Sequence, residues 1–202
     1  MDYTEIKTIT LSYADRSDAD VTSRMDDFLR IVESRINRRL KTLEMSVRAR
    51  ISAVADQEYY GLPTGFAGLR QIKHVSGTDK VTGSPMNPEQ IDSLSGKSGL
   101  VGLFYNINDS QIQIYPTKDS GEFELLYYKK VTALDGTNTT NWVSEGAPDC
   151  YIFGLLVEIS AFIKDAEAKA IWDNRFLEVV EELKSDDLET RWSGPSMVTR
   201  AG

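Results

Sequence analysis

One histidine and one cysteine stand among 31 aspartates and glutamates, and acid–base, nucleophilic or metal chemistry would have to begin with them. His74 lies in "QIKHV", which reads as a strand, and there is no second histidine ring to share a metal with it. Cys150 opens the most apolar run of the chain and reads as a small packed hydrophobe. Cys/His pairs at metal spacing, Gly-rich phosphate loops and the G-x-S-x-G elbow are all missing from the sequence. A carboxylate pair of the kind that hydrolyses glycosides stays open as an alternative, but among so many acids no pair stands out. The expectation is a protein that is not an enzyme, with no catalytic residue, metal or cofactor.

The charge pattern is more informative. Residues 34–51, "SRINRRLKTLEMSVRARI", carry six Arg or Lys and one Glu in a chain of net charge −8. Removing that net +5 leaves −13 on the other residues. The stretch could touch nucleic acid, meet an acidic protein surface, or simply decorate a solvated helix flank and guard an edge strand at Arg48 and Arg50. Overall acidity argues against general nucleic-acid binding, because phosphate affinity accumulates from positive charge. Such asymmetry favours a surface that meets opposite charge on a partner.

Several elements must position these groups. Val21, Met25, Phe28, Leu29, Val32, Ile36, Leu40 and Leu43 recur at helical spacing, which predicts one helix from Asp18 or Asp20 to about residue 43. Arg24, Arg35, Arg38 and Arg39 fall roughly 100° round from that stripe and form a basic edge. From Met45 the period becomes two, the signature of a half-buried strand over 45–53. Further short antiparallel strands are expected at 69–75, 100–107, 111–116 and 121–131, with a hairpin turn at "NDS". Residues 77–99, rich in Gly, Pro and Ser, read as an exposed loop with one helical turn at Pro88–Leu94. Helices follow at 147–164, apolar nearly all round, and 165–190, where nine acids face four bases from Asp165 to Arg191. Glu178, Glu181, Glu182, Asp186 and Asp187 read as a solvated acidic face. The expectation is a single α+β domain over 1–202. It is a helical bundle, one helix N-terminal and two C-terminal, with a β-rich insertion at about 44–133 and an extended tail at 191–202. The N-terminus carries no charged region followed by an apolar run, so no secretory signal is expected. A single cysteine excludes an internal disulfide and fits a reducing compartment or a particle assembled in one.

Five blocks in order resemble the head-to-tail adaptor (connector) proteins of tailed phages. They are "DDFLRIVESRINRRLKTLEM" (26–45), "YYGLPTGFAGLRQI" (59–72), "ELLYYKKVTAL" (124–134), "TNWVSEGAPDCYIFGLLVE" (140–158) and "RWSGPSMV" (191–198). Gly65 and Gly146 depart from the residues usual there, Asp and Asn. The resemblance implies a structural virion protein, made in the bacterial cytoplasm and placed at the head–tail junction. Copies would form a ring, probably twelve-fold, under the portal protein, with tail or nozzle proteins docking below. Double-stranded DNA would pass through without sequence-specific binding, and no membrane would be involved. A different tail or head-completion component would share this logic with another partner.

A ring requires a head-to-tail contact between unlike faces. The basic edge of Arg24, Arg35, Arg38 and Arg39 would meet Glu178, Glu181 and Glu182 on the next copy, since the guanidinium fork suits carboxylates. The tail residues Arg191, Trp192, Met197, Val198 and Arg200 would bind the portal, because apolar groups there have no local core to enter.

Overall fold

Asp2 accepts a hydrogen bond from the Glu5 N–H at 2.8 Å, and the Glu5 carboxylate accepts one from the Asp2 N–H at 2.9 Å. This capping box starts α1 (Tyr3–Tyr13), a helix the apolar pattern did not predict because only Ile6 and Thr10 are buried. A computed structural model describes residues 1–94, 97 and 100–191, and the backbone of Trp192. Among the described residues there are seven α-helices and one mixed seven-stranded sheet, an α+β protein. None of these helices is long and apolar enough to cross a membrane. The chain divides into two compact units, residues 1–44 with 131–202, and residues 45–130.

In the first unit, the helix expected over 18–43 is two helices. Asp18 caps α2 (Ala19–Thr22), whose Thr22 hydroxyl donates back to the Asp18 carbonyl. Thr and Ser favour such local bonds over helix propagation, and the chain restarts after Ser23 as α3 (Met25–Arg39). Leu40 turns to extended geometry with its side chain fully buried, so α3 stops short of residue 43 and a 3-10 turn covers Leu43–Met45. After α5 (Trp142–Gly146), α6 (Pro148–Phe162) begins with Pro148 in its first turn, where the missing N–H costs nothing. It buries nine residues, Cys150 among them. Asp165 then accepts from the Ala168 N–H and starts α7 (Ala166–Trp192).

Three helices meet at Gly154 on α6. A Cβ there would lie 2.6 Å from Val32 Cγ1 on α3 and 3.4 Å from Phe176 Cδ2 on α7. Val32 and Phe176 are both fully buried. The glycine is what allows the backbone of α6 to approach α3.

In the second unit, the strands are β1 (Ser46–Ser52), β2 (Tyr59–Gly61), β3 (Phe66–Ser76), β4 (Asp79–Pro85), β5 (Leu103–Asn108), β6 (Gln111–Tyr115) and β7 (Glu122–Lys129). They form one sheet in the order β1-β7-β3-β4-β5-β6-β2. Within the loop expected at 77–99, the helical turn at Pro88–Leu94 is present as α4, whereas β4 is a strand where loop was expected. The β4–β5 pair is parallel, so the sheet is mixed and not purely antiparallel. Tyr60, Ile72, Ile112, Ile114, Phe123 and Leu125 are central to its core. β1 is an edge strand, and its Arg48 and Arg50 reach Glu124 at 2.6 Å and Glu122 at 3.3 Å on β7. Those exposed arginines, two of the six basic residues of the stretch, fit the edge-guard reading.

Candidate assembly surfaces

The basic edge separates into distinct environments. Arg24, Arg38 and Arg39 are exposed. Arg24 lies over the Phe162 ring at 5.3 Å, Arg38 donates to the Ser34 hydroxyl at 2.6 Å, and Arg39 closes α3. Arg35 is different: its side chain is only 16% exposed and pairs with Glu158 on α6 at 3.2 Å and with Asp173 on α7. Its guanidinium also covers the Phe176 ring at 4.6 Å. Arg35 therefore cross-links three helices of its own subunit.

On α7 the acidic face is also subdivided. Glu178, Glu181 and Glu182 are exposed, with Arg175 and Lys184 pairing to the first two along the helix. Asp187, expected to be solvated with them, is only 8% exposed. Its carboxylate accepts the Leu43 N–H at 2.6 Å and pairs with Arg191 at 2.6 Å, while Arg191 also donates to the Lys41 carbonyl. The last turns of α7 are thus hooked onto the segment that leaves α3. Of the expected portal-binding residues, Arg191 is this hook and Trp192 ends the helix, while Met197, Val198 and Arg200 lie outside the described residues.

A second latch was not anticipated. Glu33, 7% exposed, accepts the Leu134 N–H at 2.6 Å, and Asn37, one turn on, accepts the Val131 N–H at 2.7 Å. Asn141 donates to the Thr132 carbonyl and to the Tyr151 hydroxyl. The polar side chains on the flank of α3 therefore fix residues 131–134 by their main chain. The sequence signal was two polar residues at helical spacing beside the apolar stripe, which otherwise looks like ordinary amphipathic grammar.

Burial pushes the Glu33 carboxyl above its ordinary value of 4.5, against a smaller downward pull from the Leu134 N–H. The folded chain then holds the Glu33 proton to higher pH than the unfolded chain, so stability is lost as pH rises above the ordinary value. Glu33→Gln retains an acceptor for Leu134 without a buried charge. It is expected to unfold at higher urea than wild type at pH 7.5, with the gap closing by pH 4. A gap independent of pH would contradict the assignment.

α7, α5 and the segment after α3 also enclose a cleft of about 230 Å³, lined by Thr42, Glu44, Trp142, Leu183, Asp186 and Asp187. The Thr42 hydroxyl and the Trp142 indole N–H are buried without hydrogen-bond partners among the described residues. Buried groups left so cost about 1–3 kcal/mol each.

The groups first considered for catalysis are committed elsewhere. His74 Nε2 lies 2.8 Å from the Ser120 carbonyl, with its ring against Phe123. Burial raises the Cys150 thiol to about 12, which makes it unreactive as a nucleophile. No cluster of His, Cys, Asp and Glu among the described residues could hold a metal ion.

Comparison with known proteins gives one family. The family model described as SU10 adaptor protein matches residues 1–199. No curated protein matches the chain.

Proposed function

Because the chain belongs to the SU10 adaptor protein family, a phage head–tail adaptor family, we propose that its copies form a ring that joins the portal of a filled head to the tail. The ring extends the DNA channel and gives tail or nozzle proteins a surface to dock on. The observation that carries the reading is a family match over nearly the whole chain. Charge segregation supports it: Arg24, Arg38 and Arg39 are exposed on the α3 side, and Glu178, Glu181 and Glu182 are exposed on α7. Unlike faces on one subunit are what a closed head-to-tail ring needs. An acidic balance also suits a conduit, since a strongly basic lumen would retain DNA. Arg35 supports the interface from within, by fixing α3 against α7. The segment after Trp192 binds the portal in this reading, with the Asp187–Arg191 hook holding its root.

The test is the mass of the subunit alone and mixed with its portal, by native mass spectrometry. About one subunit per portal chain is expected, with the family's twelve-fold ring as the reference. Arg24→Glu with Arg39→Glu is expected to lower the assembled fraction about tenfold at low salt, with the effect shrinking as salt rises. Truncation after Trp192 should leave the hook intact and remove portal binding. Absence of association in any salt would exclude the portal as partner and move attention to tail proteins.

A further inference from the structure

We infer that the cleft between Thr42, Trp142 and Asp186 is a receptor for an arginine side chain from a neighbouring copy of this chain, with Arg38 the occupant. The inference rests on the ring reading above and names its contact. At about 230 Å³ the cleft is smaller than the sites that take small molecules, roughly 300–1,000 Å³, and suits one long side chain. Of its three carboxylates, Asp187 is already paired with Arg191, whereas no ion pair is formed by Glu44 or Asp186 among the described residues. The charge asks for a cation.

The wall asks for more than charge. The Thr42 residue is 2% exposed, and among the described residues neither its hydroxyl nor the Trp142 indole N–H has a hydrogen-bond partner. A guanidinium supplies donors for the Thr42 oxygen and for both carboxylates. The indole N–H needs an acceptor, which a bare cation lacks. The last-turn carbonyls of a helix are such acceptors, and Arg38 sits in the last turn of α3 beside them. A guanidinium and a helix C-terminus together match the cleft where either alone would not.

Arg38 is exposed in the last turn of α3, so a neighbouring copy can meet it.

The experiment is a charge swap read by native mass spectrometry of the portal mixture. Arg38→Glu alone and Asp186→Arg alone are each expected to reduce assembled rings about thirtyfold or more, as for loss of one partner of a desolvated charge pair. The two together should restore assembly. Thr42→Val removes an unpaired hydroxyl, so it should leave the melting of the free subunit no lower while still weakening the ring. Rings of wild-type chains that are insensitive to the swaps, or a double variant no better than the singles, would overturn the cleft and leave the ring reading standing. No ring from wild-type chains would overturn both. As a check on the isolated subunit, N-acetyl-arginine amide should move the Trp142 indole resonance, saturably and not in Asp186→Asn; a stationary resonance counts against the site.

Discussion

Replacing Gly154 with alanine is expected to destabilise the subunit by about 1–3 kcal/mol, the usual range for overpacking. In an open helix the same change would stabilise by about 1 kcal/mol, so the sign itself is the test. The added Cβ would stand 2.6 Å from Val32 Cγ1 and 3.2 Å from its Cγ2. Val32 is fully buried and β-branched, so it has no alternative rotamer to retreat into. Relief must come from the backbones of α3 and α6 moving apart, which strains the Arg35 bridges and the Phe176 contact as well. A larger residue, Gly154→Leu, should exceed the alanine cost. Urea unfolding measures both, and the pairing can be checked directly. Val32→Ala alone opens a cavity and Gly154→Ala alone overfills one, so the double variant should be more stable than the sum of the two losses predicts. Strict additivity would mean that the helices do not meet at this point.

The crossing shows where the sequence was and was not legible. An apolar run over 151–163 marks α6 as buried on every side, and that reading needs nothing but hydropathy. Which of its residues would face another backbone depends on the neighbours, and a lone Gly in a buried helix carries no label for that. α3 was legible as an amphipathic helix, but its break at Ser23 was not, because a short local bond from Thr22 competes with a strong apolar period. α1 left only its capping box as a signal, since its face contributes little to the core. β4 reads as a loop, being charged and Gly-containing, and becomes a strand because β3 and β5 are there to pair with it.

The assembly residues follow the same division. Periodicity sets Arg35, Arg38 and Arg39 beside the apolar stripe of α3, because azimuth on a helix follows from spacing alone, whereas Arg24 falls before α3, at its N-cap. It cannot say which of those azimuths another helix occupies. Arg35 faces α6 and α7, and Arg38 faces solvent, though the sequence gives them one character. Likewise Asp187 shares the acidic composition of its neighbours, and only the return of the chain at Leu43 buries it. Thr42 and Trp142 have ordinary types at ordinary positions. Their significance lies in unpaired atoms, which no sequence pattern expresses.

Arg35→Met is therefore expected to act on folding before it acts on assembly. Removing the guanidinium leaves Glu158, 18% exposed, and Asp173, 41% exposed, facing each other without a cation. Truncating one partner of a buried pair costs about 3–5 kcal/mol; water at Asp173 places this case near about 3. The lost cover over Phe176 adds to it. Urea unfolding of the free subunit should show the loss in full, with no portal present. Arg35→Met combined with Glu158→Gln and Asp173→Asn should recover much of it, because the cost comes from uncompensated charge and not from missing packing. Arg38→Glu, by contrast, should leave the midpoint within about 0.5 kcal/mol, as for an exposed site. This ordering decides how any assembly defect is interpreted. A ring lost in Arg35 variants reports on the helix bundle that presents the edge, whereas a ring lost in Arg38 variants reports on the edge itself. If Arg35→Met left the subunit as stable as wild type, the three-helix bridge would be wrong and Arg35 would return to the interface beside Arg38.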